Sequence, residues 1–154
     1  MKLNLPEYNF RIRKDENQKD EIFDELRKKF IVLTPEEWVR QNFLKFLRED
    51  KKYPDSLIAV EKGITVNTMK KRFDAVVYNK LGNPEVLIEF KAPGIKLDQK
   101  VMEQISRYNL SLNVRYLIVS NGLTHYCCLV EKETNSISFL KEIPDYNKLE
   151  MQTF

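Results

Sequence analysis

The segment from Arg72 to Lys91 constrains the fold more than any other part of this chain of 154 residues. Arg72-Phe73-Asp74-Ala75-Val76-Val77-Tyr78 alternates as a strand does, and so does Val86-Leu87-Ile88-Glu89-Phe90-Lys91. Between them, Leu81-Gly82-Asn83-Pro84 is a turn short enough to close a hairpin. Side chains two apart on a strand share a face, so Glu89 and Lys91 point together beside Leu87, while Ile88 and Phe90 point the other way. Asp74 lies on the neighbouring strand. Two carboxylates and one ammonium can therefore gather on one patch of a sheet. Such a patch is able to hold a hard divalent cation and, through it, to activate water against a phosphodiester.

Composition frames the hairpin. The length suits one domain with its own core, and 42% apolar with 32% charged residues excludes a disordered chain. A net charge of +3 is too small for bulk charge to argue for nucleic-acid binding. The local clusters Lys70-Lys71-Arg72 and Lys91, Lys96 and Lys100 carry that argument, against the plain alternative of a solvated surface. The two cysteines, Cys127 and Cys128, are adjacent. Neighbours on a strand face opposite ways, so buried thiols are expected rather than a disulfide or a zinc site. No basic segment leads into an apolar run at the N-terminus, and no stretch reaches membrane-spanning length. No membrane partner and a cytoplasmic location are the expectation.

Residues 1–33 form an N-terminal extension that reads as either a small antiparallel sheet or a short helix followed by a strand. Thr34-Pro35-Glu36-Glu37 starts a helix: Thr34 caps it, Pro35 suits its first position, and Glu37 completes a capping box. Val39, Phe43, Leu44, Phe46 and Leu47 keep the helical period to about Arg48. A strand follows near Leu57 to Glu61, then the hairpin. A second helix is predicted from about Leu97 to Leu110 with Asp98 near its cap, and a buried strand over Arg115 to Val119. Asn121-Gly122 is a strong hairpin signal, with Leu123 to Val130 as partner strand and Ile137 to Leu140 as an edge. The tail from Pro144 reads as loosely packed. A domain over residues 34–143 and a tail over 144–154 follow. The fold class is α/β or α+β, a mixed sheet with helices on at least one face.

A helix, then a hairpin bearing Asp…Glu-x-Lys, then helix and strand, resembles the PD-(D/E)XK nuclease superfamily. In detail the chain is similar to the N-terminal nuclease domain of type I restriction enzyme R subunits. The stretches that carry the likeness are Leu33 to Gln41, Arg72 to Tyr78, Leu87 to Pro93 and Gln104 to Tyr108, within roughly residues 30 to 130. The resemblance implies a restriction-endonuclease-like αβββαβ core and an Mg²⁺-dependent DNA endonuclease, with Mn²⁺ as substitute. Asp74 and Glu89 would ligate the metal with the backbone carbonyl of Phe90, and Lys91 would orient the attacking water or meet developing charge. Glu37 is the helix carboxylate the resemblance brings near the metal, with Glu36 as its competitor and a capping role as the plainer one. Gln104 and Tyr108, one helical turn apart, would contact substrate. Arg72, Lys96 and Glu61 could reach the cleft, although salt-bridge or solvated roles explain them as well.

Restriction R subunits continue into a helicase-type motor, and this sequence has no Gly-rich phosphate loop. The expectation is that it acts on DNA alone or with a separate helicase or translocase chain, and that two copies pair as a homodimer. The alternative function is a nucleic-acid-binding or assembly module with the same fold and no catalysis. A third is a small binding domain unrelated to nucleic acid.

Overall fold

A computed structural model describes residues 1–66, 69–110, 112, 114–131 and 133–151, though not the side chains of 66, 69, 108, 150 and 151. The N-terminal extension takes the first of its two readings. Strands β1 (Ile12–Lys14), β2 (Asp20–Asp24) and β3 (Lys29–Val32) form a small antiparallel sheet. Its turns are sealed by side chains: Asp15 accepts from the backbone N–H of Asn17 and Lys19, and Asp24 from those of Leu26 and Arg27.

Helix α1 (Pro35–Glu49) begins where its cap predicts, with Thr34 Oγ1 accepting from the Glu37 N–H at 3.0 Å. Only half of the expected capping box forms. The Glu37 carboxylate instead accepts from Gln41 and turns toward Arg40 and Arg27, whose charge attracts it more strongly than a backbone amide. A six-stranded sheet follows, ordered β4 (Ile58–Val66), β5 (Met69–Tyr78), β6 (Pro84–Phe90), β7 (Tyr116–Ser120), β8 (His125–Glu131) and β9 (Ser136–Leu140). All neighbours are antiparallel except β6 and β7, which run parallel. Parallel neighbours need a long crossover, and helix α2 (Gln99–Asn109) supplies it. Asp98 caps α2 by accepting from the Val101 N–H. The chain therefore has the αβββαβ order of a mixed α+β domain.

The sheet separates two apolar layers. Val39, Phe43, Leu44 and Leu47 of α1 pack on Ala75, Val77, Val86, Ile88 and Phe90. On the other side, Leu97 and Met102 pack on Phe73, Val76, Leu87 and Leu117. Fully burying a side chain such as Phe43 contributes about 1.5–3 kcal/mol. Cys127 and Cys128 are free and buried in opposite layers, as strand alternation requires.

The turn at Asn121-Gly122 is longer than a two-residue loop. Asn121 Oδ1 accepts from the N–H groups of Leu123 and Thr124, and Gly122 sits at φ 87°. A side chain at Gly122 would meet Leu3 at 2.7 Å, so the N-terminal residues close over this turn. The tail corrects the sequence reading. Ile143, Tyr146 and Leu149 are buried against the α1 layer, and Tyr146 and Leu149 belong to helix α3 (Tyr146–Met151). Tyr53 donates to the Pro144 carbonyl, and Tyr146 to the Tyr78 carbonyl. Two apolar anchors in a six-residue helix are too few to register as a period.

Candidate active site

Pairing between β5 and β6 runs from Tyr78 with Pro84 to Ala75 with Ile88 and stops there. Beyond that point β5 pairs with β4 alone, while β6 continues beside β7 to Phe90. Asp74 and Glu89 sit where the two strands part. Asp74 Oδ2 accepts from the Phe90 N–H at 2.6 Å, so its carboxylate rests against the peptide unit that joins Glu89 to Phe90.

Strand alternation breaks here. Phe73 packs in the α2-side layer, yet Ala75, two residues on, packs in the α1-side layer. The break faces Glu61 on β4, which has φ 53°, and the ladder has no Glu61–Asp74 pair. A non-glycine residue in the left-handed region costs of order 1 kcal/mol, and surrounding contacts must hold it there. Those contacts are three guanidiniums. Glu61 meets Arg72 at 3.0 Å, Arg40 at 3.2 Å and Arg27 at 3.4 Å.

Arg40 is the centre of this cluster. Its side chain is 8% exposed and lies 3.2 Å from Glu61, 3.6 Å from Glu37 and 3.7 Å from Asp74. Arg27 adds Asp24 at 2.6 Å, and Gln41 donates to both Asp24 and Glu37. Burial acts against the charge on Asp24, but hydrogen bonds from the Arg27 backbone and guanidinium outweigh it and hold the carboxyl below its ordinary range. Glu61 is also held low: slight burial is outweighed by Arg40, then Arg27 and Arg72. Glu37 goes the other way, since its burial exceeds what Gln41, Arg40 and Arg27 return.

The sequence-derived residues divide by face. Asp74 is drawn toward α1 through Arg40. Glu89 is drawn toward α2, where its carboxylate meets Lys71 Nζ at 3.3 Å and Lys71 in turn reaches Asn109. Glu37 joins Asp74 only through Arg40. Lys91 donates its backbone N–H to Ser120, and its ammonium has no ion pair or hydrogen bond among the described residues. Arg72 is spent in part on Glu61, Lys96 is exposed past β6, and Gln104 is exposed on α2. Tyr108 lies on α2, and its side chain is outside the described residues. His125 hydrogen-bonds Asn4 and Ser120 and takes no part in the cluster.

Among the described residues, no three His, Cys, Asp or Glu side chains converge closely enough to form a ligand cluster by themselves. The side-chain donors at the strand fork are carboxylate oxygens, the type a hard cation takes: Asp74 rests on the Glu89–Phe90 peptide, while the Glu89 carboxylate faces Lys71 on the α2 side. The sequence pattern gave Asp24, Arg27 and Arg40 no site role and marked Lys71 only as part of a basic cluster. Nothing in a linear pattern signals that a left-handed Glu61 will collect arginines from three separate elements.

The fold and the fork define a restriction-endonuclease-like mixed-sheet domain. A family model described as the type I restriction enzyme R protein N terminus matches residues 35–144, more than two thirds of the chain. The chain belongs to that family. Among solved structures, it is similar to a fragment assigned as the HsdR subunit of a type I restriction enzyme from Vibrio vulnificus YJ016. That match has 16% identity and a TM-score of 0.53 and covers 78% of this chain and 25% of the other. The chain thus spans about a quarter of the length of that relative. A second similar structure is a DUF820 protein assigned as a nuclease, from Anabaena variabilis ATCC 29413. There the identity is 12% and the TM-score 0.49, over 90% of this chain and 87% of the other. No curated protein matches the sequence. No helix among the described residues is long and apolar enough to cross a membrane.

Proposed function

We propose that this domain is an Mg²⁺-dependent DNA endonuclease whose site lies at the fork between β5 and β6. The observation that carries this reading is the Asp74 carboxylate seated on the Phe90 peptide, next to Glu89, in a chain of this family. Asp74, Glu89 and the Phe90 carbonyl would hold the ion, with Mn²⁺ as substitute. When bound, the ion supplies a water of lowered pKa and offsets charge on the phosphate. Lys91 keeps its ammonium uncommitted and meets the charge that develops on the phosphate oxygens. Arg40 holds Asp74, Glu61 and Glu37 in a fixed arrangement, with Glu37 in reserve near the ion. Arg72, Lys96, Gln104 and Tyr108 contact the DNA around the fork. A separate helicase or translocase chain brings the DNA, and two copies pair so that two sites meet two strands.

A second reading is a binding or assembly module without catalysis. It is favoured by Arg40 and Lys71, which supply positive charge to Asp74 and Glu89 so that the fold holds with no ion bound. Incubation with supercoiled and linear DNA in Mg²⁺, Mn²⁺ or EDTA separates the two. The nuclease reading expects metal-dependent cleavage that falls at least about a hundredfold in Asp74→Ala and Lys91→Ala, the scale of losing a preorganised electrostatic group. Salt-sensitive binding without cleavage in any metal would overturn it in favour of the module.

A further inference from the structure

Beyond the fork, β4 and β5 continue as a two-stranded ribbon, and among the described residues no third strand pairs with β5 there. Residues 62 to 73 contain Lys62, Lys70, Lys71 and Arg72 and no acidic residue. These four positive charges exceed the net charge of the whole chain, +3, so its surplus is concentrated here. The register sorts them by face. Gly63 pairs with Arg72 and Thr65 with Lys70, so one face carries two cations opposite two small residues, all exposed. Lys62 pairs with Phe73 and projects from the other face, also exposed. Lys62 and Lys70 have no ion pair or hydrogen bond among the described residues. Lys71 is paired with Glu89, and the exposed Arg72 is shared with Glu61, so Lys62 and Lys70 are the cations of this segment left for an outside anion.

The stripe is also aimed. Lys70, Arg72 and Asp74 occupy alternate positions of one strand, and Arg72 already touches the Glu61 cluster. Lys70 and Arg72 lie about 6.8 Å apart along an extended strand, close to the spacing of successive phosphates on one DNA strand. A two-stranded ribbon fits the B-DNA major groove, about 12 Å wide, but not the deep and narrow major groove of A-form RNA. We propose that the β4–β5 ribbon lies in the major groove of double-stranded DNA, with Lys70 and Arg72 on one phosphate row, Lys62 on the other, and the strand leading to Asp74. This rests on the nuclease reading only for the choice of DNA as substrate.

The test is fluorescence anisotropy of the full chain with a short DNA duplex in EDTA, from 50 to 200 mM salt. Lys62→Ala/Lys70→Ala removes two phosphate contacts and is expected to weaken binding about tenfold or more at the low-salt end. It also lowers the slope of log K against log salt by about 1.8. Lys2→Ala/Lys19→Ala removes the same charge elsewhere and is expected to change neither. An RNA duplex of the same sequence is expected to bind more weakly than the DNA. Equal weakening by both double variants, an unchanged slope, equal binding of RNA, or no binding of DNA by the wild type would each overturn the ribbon. Because EDTA removes the metal, these results do not depend on cleavage. A wild type that cuts DNA through Asp74 while the ribbon variants bind normally would sink the ribbon and leave the nuclease reading standing.

Discussion

On the α1 side of the sheet, Asp74 belongs to a web in which Asp24, Glu37, Glu61 and Asp74 share Arg27, Arg40 and Arg72. On the α2 side, Glu89 has a single described ion pair, with Lys71. The two carboxylates lie on adjacent strands at one fork, yet one is tied through Arg40 into a wider web and also accepts the Phe90 N–H, while the other has one described ion pair. Shared guanidiniums resist removal because every lost contact leaves a buried charge uncovered. A single pair to a flexible lysine can be exchanged. Within the proposed chemistry, Asp74 is the fixed ligand and Glu89 the one that turns toward an arriving cation.

Arg40→Ala tests this contrast with the largest expected effect. It strips a nearly buried guanidinium from three carboxylates, and the expected loss is about 3–5 kcal/mol in urea unfolding. Lys71→Ala uncovers Glu89 and releases the Asn109 amide oxygen, and because the ion pair is partly hydrated the expected loss is about 1 kcal/mol. Equal losses from the two variants would erase the distinction between the faces.

The pH dependence sharpens the contrast within the web itself. Asp24 has a folded pKa below its ordinary value of 3.8, so its contribution is present above that value and fades as pH falls through the lower one. Asp24→Asn is therefore expected to be less stable than wild type at neutral pH, with the gap closing in acid. Glu37 has a folded pKa above its ordinary 4.5, so its contribution is full below that value and fades as pH rises through the higher one. Glu37→Gln is expected to gain on the wild type as pH rises from about 4 to 7. Urea midpoints from about pH 2 to 7 check both signs, and gaps that move together with pH would contradict the charge balance described here.

Much of the frame was legible because it rests on short-range patterns. Thr34-Pro35 and Asp98 announced their helices, alternation announced the strands, and the adjacent cysteines announced their opposite layers. The Asp…Glu-x-Lys signature led to the fork and to the family. The electrostatics were not legible, because they depend on one backbone angle and on elements distant in sequence. Strand alternation puts Asp74 on a face by parity, but the left-handed Glu61 breaks parity at that residue and turns Asp74 toward α1. Arg27 reaches the web from the turn after β2, which lies before the matched family region. No local pattern in residues 1–33 indicates that an arginine there will touch Glu61 and Glu37.

Diffraction from crystals soaked in Mn²⁺, at a concentration that supports DNA cleavage, tests the metal assignment most directly. The expected result is an anomalous peak bounded by Asp74, Glu89 and the Phe90 carbonyl, with Lys71 swung away from Glu89 and Arg40 still in its web. A Lys71–Glu89 pair left intact, with the ion bound elsewhere, would contradict it.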